Sequence, residues 1–220
     1  MAALHLLLLA DSRLPNGGHA HSGGVEMAVE TGLLSTVDDL ALFLRGRLRT
    51  AAPVPAAFSA AAALPIDDWL TWDRALSARI PSAALRTASR LQGAALLRTV
   101  AGMWPLPGGL LALGKPHQSL VLGAAVRAAG GDARDAALLA VHHLIGGACS
   151  AAVRLLGLDP LAVAAVQATL DAEQLVRDAV RAAEIAVDTN DPCSLSAVSG
   201  PMSELLAAAH AHQEVTLFAS

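Results

Sequence analysis

From Ala136 to Val153 the chain carries no charged residue, and this run decides what kind of fold is available to it. The run reaches the lower limit of length for crossing a bilayer, so it has to be buried in lipid or in protein. Asp135 and Arg154 bracket it tightly, and His142, His143, Gly146, Gly147 and Ser150 lie inside it. Those residues suit a helix in a protein core, with Asp132 ahead of it as a cap. A core helix of that length needs other helices to cover it, and the composition supplies them. Of 220 residues 54% are hydrophobic, and the excess is largely alanine, the best helix former.

The rest of the chain reads as those covering helices. Leu4 to Ala10 forms a short one. Ser22 is expected to cap a second, running to Thr31 with Glu26 in its first turn and Gly32 after its end. Thr36 with Asp39 opens a third, which aligns Leu40, Phe43, Leu44 and Leu48 on one stripe. Pro53 and Pro55 are expected to interrupt it before a helix over 56–64. Asp67, Asp68 and Trp69 open another, and Ser82 caps 83–101. Residues 102–116 are dense in Pro and Gly and form the least regular region. Helices follow over 117–129, from Asp132 to Leu156, from Asp159-Pro160 to about Val187, and over 202–213. No segment alternates with period two. The expected class is therefore all-α: a single compact helical domain over 1–220, of about eight to ten helices, with flexible N- and C-terminal ends.

Composition also excludes functions. A net charge of -4, aromatics at 3% and no tyrosine leave no footprint for nucleic acid. Cys149 and Cys193 have no metal or redox spacing. The start lacks the basic region and cleavage site of a signal peptide, so a cytoplasmic protein with no membrane segment is expected.

The chemistry-bearing residues concentrate between Asp11 and Glu26. Gly17, Gly18, Gly23 and Gly24 suggest a phosphate loop, but the only lysine, Lys115, lies far away. His19 and His21 are the candidates for a metal contact with zinc or nickel, without a fixed third ligand. A helical metal-dependent enzyme or ligand-binding protein using His19 and His21 is the alternative reading. Neighbours on a helix point apart, which separates His142 from His143, and the spacing of His210 and His212 is equally poor for one ion. Ser22 lies near His21 and Glu26 but lacks the strand–turn–helix setting of a nucleophile. No catalytic set and no stably bound cofactor is expected.

Four stretches together resemble the UreF family of urease accessory proteins. The first is Leu9-Ala-Asp11-Ser-Arg-Leu-Pro15-Asn-Gly17-Gly18-His-Ala-His21-Ser22-Gly23-Gly24-Val25-Glu26, similar to the family's N-terminal signature. The second is Ala88-Ser-Arg90-Leu-Gln92-Gly93, the third Ser150-Ala-Ala-Val-Arg154-Leu-Leu, and the fourth the ending from His210 through Leu217-Phe218-Ala-Ser220. The resemblance implies an adaptor rather than an enzyme: a homodimer joining a UreD/UreH-type scaffold and the GTPase UreG to apo-urease, with nickel in transit during urease activation. It implies motif or partner-facing roles for Pro15, Gly17, Gly18, His21, Ser22, Gly23, Glu26, Arg90, Gln92, Gly93, Arg154, His210, Leu217 and Phe218. His19 and Ala20 depart from the aromatic or small hydroxyl residues usual there. Asp159 and Pro160 stand where many members carry Gly-Gln, and Thr216 replaces a common arginine. The last two departures imply an altered fit to partners.

Overall fold

The uncharged run is the middle of the longest helix, α9 (Ala133–Leu156), in the computed structural model of the chain, which describes residues 2–211 and 217–218, the side chains of Ala2, Ala3 and His19 excepted. Asp132 and Asp135 form a reciprocal capping box at its start, and Gly157 ends it in the left-handed region. Its length and apolarity would suffice to cross a membrane, but half of its apolar window is already buried against protein. The partners are helices on every side: α1 (Ala2–Ala10), α2 (Val25–Glu30), α3 (Val37–Thr50), α4 (Pro53–Ala62), α8 (Gln118–Ala128), α10 (Pro160–Ala168) and α11 (Glu173–Asp188) all pack on it.

The second central helix is α4, buried along almost its whole length between α8, α9 and α11. Five of its residues are alanine, and small side chains let these backbones come close. Full-size side chains fill the remaining space. Phe58 of α4 meets Trp72 edge to face at 6.1 Å, and Leu44, Leu96, Leu120 and Leu122 are buried completely. Burial of each such side chain contributes about 1.5–3 kcal/mol, so a few large residues set the packing that many alanines permit. Outside this core run α5 (Trp69–Ala78), α6 (Ala83–Ala101), α7 (Gly108–Ala112) and α12 (Pro201–His210).

The class is all-α in one helical body. Twelve helices occur among the described residues, ten of them of seven or more residues, and α2 and α7 are the short ones. The Thr36 capping box and the Ser82 cap stand as expected. Three boundaries differ. Pro53 begins α4 instead of interrupting the chain, because a helix's first residue needs no N–H. The expected helix from Asp159 to Val187 is two. Thr169 bonds back to the Val166 carbonyl through both its N–H and its Oγ1, and the Asp171 carboxylate takes the Glu173 N–H, so the backbone leaves the helix between them. The reversal allows α11 to lay Val176, Ala179, Ala183 and Ala186 onto the core. The third difference, at Ser22, belongs to the loop described next.

Candidate functional site

The loop after α1 is fixed by α6. Thr99 Oγ1 donates to the Pro15 carbonyl at 2.6 Å, Gly17 rests against Ala95 and Gln92, and the Asn16 side chain accepts from the Gly18 N–H. A 3-10 turn (Gly18–Ala20) leads to the buried residues His21 and Ser22. Ser22 is not the cap of α2. Its Oγ accepts from the Gly24 N–H at 3.3 Å, and the capping position belongs to Gly24 at φ 88°, where a side chain would be strained. At the loop's start Arg13 clasps Asp11 at 2.6 Å, and these hydrogen bonds hold the Asp11 carboxyl down at about 2.

This turn delivers Glu26 into the interior, 3% exposed. Its Oε2 accepts from His210 Nε2 at 2.7 Å and from the Phe218 N–H at 3.2 Å, and its Oε1 accepts from the Leu217 N–H at 2.6 Å. A buried carboxylate costs several kcal/mol in lost hydration, and these three donors offset that cost. The Phe218 ring is buried with the Arg154 guanidinium over it, 4.4 Å from its centroid, while Leu217 points out, 80% exposed. Burial, and then the neighbouring His210, depress the basicity of His21. Three of the four sequence stretches thus meet at one knot: Glu26 from the first, Arg154 from the third, and His210, Leu217 and Phe218 from the fourth.

Part of the second stretch serves a different centre. Arg90 pairs with Asp73 at 2.8 Å and also donates to Ser77 Oγ and the Lys115 carbonyl. Asp73 accepts the His117 N–H at 3.1 Å. The fully buried His117 ring lies between two hydroxyls, Ser77 on Nε2 at 2.8 Å and Ser89 on Nδ1 at 2.9 Å. Burial first, then the Arg90 cation, push its pKa down to about 4 against the pull of Asp73. Serine, histidine and aspartate gather here without forming a catalytic relay. Asp73 faces main chain and Arg90 rather than the imidazole, and the ring has no accessible edge for a substrate. Gly93 explains how the strands of chain come together: a Cβ there would stand 2.0 Å from the Pro116 carbonyl oxygen. Sequence reasoning picked out Arg90 and Gly93 but missed Asp73, Ser77, Ser89 and His117. The available signal was Asp73 itself, a lone carboxylate beside Trp72 on an otherwise apolar stripe.

Gln92 takes part in neither centre. It lines a cavity of about 250 Å³ together with Gly18, His21, Gly23 and Arg154. His142 and His143 border the same cavity and hold the end of α1, through the Ala10 and Leu9 carbonyls at 3.3 and 2.9 Å. They serve two different carbonyls, as their adjacent helical positions require. Among the described residues no three His, Cys, Asp or Glu side chains gather as a metal site. The side chain of His19, and His212 and Thr216 altogether, lie outside the described residues. Ala20 is exposed, and Asp159 and Pro160 open α10, with the Asp159 side chain accepting from the Leu161 N–H.

Comparison with known proteins places this geometry. The family model described as UreF matches residues 34–171. The urease accessory protein UreF of Mycobacterium sp. (strain JLS) is 41% identical over 216 residues, covering 98% of this chain and 97% of that protein. The proteins of the same name from Mycolicibacterium vanbaalenii and Mycobacterium marinum are each 40% identical with the same coverage. The family model stops short of both ends, whereas the alignments with the relatives cover 98% of the chain.

Proposed function

The chain belongs to the UreF family of urease accessory proteins, which are not themselves enzymes, and from that premise we propose that it is the adaptor that joins a UreD/UreH-type scaffold and the GTPase UreG to apo-urease. In this reading it acts in the cytoplasm as a homodimer, holds UreG, and influences when GTP is hydrolysed. Nickel passes to urease during activation without a stable site on this chain.

The observation that carries the reading is the convergence at Glu26. A tail with an outward Leu217 is fastened to the body through its main chain, and Arg154 closes over Phe218 beside it. This arrangement presents a shaped surface and offers no accessible reacting group. Exposed Leu4, Leu7 and Leu8 on α1, apolar but for His5, add an uncovered apolar face of the sort that partners bury. Co-expression with tagged UreD- and UreG-type proteins tests the proposal. Both should co-purify with this chain, and failure to bind either overturns the reading.

A further inference from the structure

Beside the glycine turn stands a cation whose charge no carboxylate among the described residues answers. Arg47, in the last turn of α3, sends Nη1 to the Gly23 carbonyl at 2.7 Å. The same atom would lie 2.6 Å from a Cβ at position 23, so a glycine there is what lets the guanidinium lie over the turn. Its Nε is shut off from solvent without a hydrogen-bond partner, and the face of the group lies 5.7 Å from the centre of the Phe43 ring. Among the described residues no carboxylate pairs with it. Burial lowers its pKa to about 10, which leaves it charged at neutral pH. The residue as a whole is half-buried, and a charge that gives up part of its hydration is ordinarily paired.

Arg47 lines the cavity of about 250 Å³ already described, and among the described residues its lining contains no Asp or Glu. It does contain Gln92 and Gln118, half-buried residues whose amides make no hydrogen bond to other described residues. A guanidinium that shares a pocket with amide donors, and with no carboxylate among its described lining residues, is complementary to a planar oxyanion. The room suffices for an anion of a few heavy atoms with water.

We propose that this cavity binds a small carboxylate-type anion on Arg47, with Gln92 and Gln118 donating to the same ligand. The site is independent of the adaptor role, since it requires only the isolated chain. The purified 220-residue chain is titrated with sodium formate, and with sodium chloride at matched ionic strength. The readouts are melting temperature and the line width of ¹³C-formate. Formate should give a saturable rise in melting temperature and saturable broadening that chloride does not reproduce. Arg47→Gln should weaken formate binding at least about tenfold, the loss expected for one charge-assisted contact. Equal responses to formate and chloride, or wild-type affinity in Arg47→Gln, overturn the proposal. Should that variant not fold, Gln92→Leu and Gln118→Leu keep the guanidinium in place, and unchanged affinity in both overturns it equally. If the pocket instead takes a carboxylate side chain from a docked protein, the isolated chain shows no saturable formate response, which also counts against the proposal.

Discussion

Replacing Glu26 by alanine removes the acceptor of three hydrogen bonds, and the structure says where the loss is felt. His210 is buried and fixed on α12, so it stays behind without its partner, at a cost of about 1–3 kcal/mol. The Leu217 and Phe218 amides are different, because a segment that detaches can give them to water. Their loss is therefore limited by what docking this segment is worth. That includes about 1.5–3 kcal/mol for burying Phe218 and about 0.5–2 kcal/mol for the Arg154 contact. Neither α4 nor α8 carries any of these groups, and α9 carries only Arg154, in its last turn. Global stability should fall by only about 1–3 kcal/mol, or roughly 2–10 °C in melting temperature for a chain of this size. Local protection should fall much further. Hydrogen exchange at the Leu217 and Phe218 amides should accelerate by at least about a hundredfold, the equivalent of roughly 3 kcal/mol. Slow exchange at both amides in a strongly destabilised Glu26→Ala protein would refute the reasoning, for it would make Glu26 a core residue and not a latch.

Two other outcomes follow from the second centre. The unfolded chain takes up a proton on His117 below about pH 6.5, while the folded chain refuses it until about 4, so folding stability is complete above the first value and declines as pH falls towards the second. The decline amounts to roughly 3 kcal/mol at most, with His21 and His143 adding to it in the same direction. Urea denaturation at pH 7.5, 6 and 5 should show this slope, and His117→Gln should flatten it whatever its effect on absolute stability. Gly93→Ala should cost about 3 kcal/mol or more, since the added methyl meets main chain that cannot swing aside. A thermal melt within a degree or two of the wild type would show that α6 shifts freely over Pro116.

Much of the fold was legible because its signals are local. Thr36 with Asp39, and Asp132 with Asp135, mark helix starts through contacts within three residues, and the run from Ala136 to Val153 leaves little choice but a core helix. The errors fell where a local cue has two meanings. Proline at position 53 both ends and begins helices. Ser22 has the side chain of a cap, but two glycines in the left-handed region move the helix start past it. Asp171 looks like one more polar residue on a helix until its carboxylate is seen taking the Glu173 N–H. The long-range ties were out of reach. Nothing near Glu26 shows that its partners are His210, Leu217 and Phe218, and nothing near Arg90 points to Asp73 or His117.

The motif residues divide by the direction they face, and the division changes what they mean. Glu26, Ser22, Gly93 and His210 are buried and touch only this chain, whereas Leu217 and the guanidinium of Arg154 lie at the surface. A residue of the first kind reaches a partner only through the shape it imposes. Glu26 does so by binding main-chain amides, which fixes the path of the tail without dictating the side chain at 217. Phe218 is held by its ring as well, so its identity matters to the body itself. By local pattern alone Glu26 has the modest task of a negative charge at a helix start. The structure makes it the point where the first turn of α2 and the end of the chain are fastened together. Any effect of Glu26 on complex formation therefore passes through the docked tail, and loss of the latch and loss of the surface proposed for partners become one event.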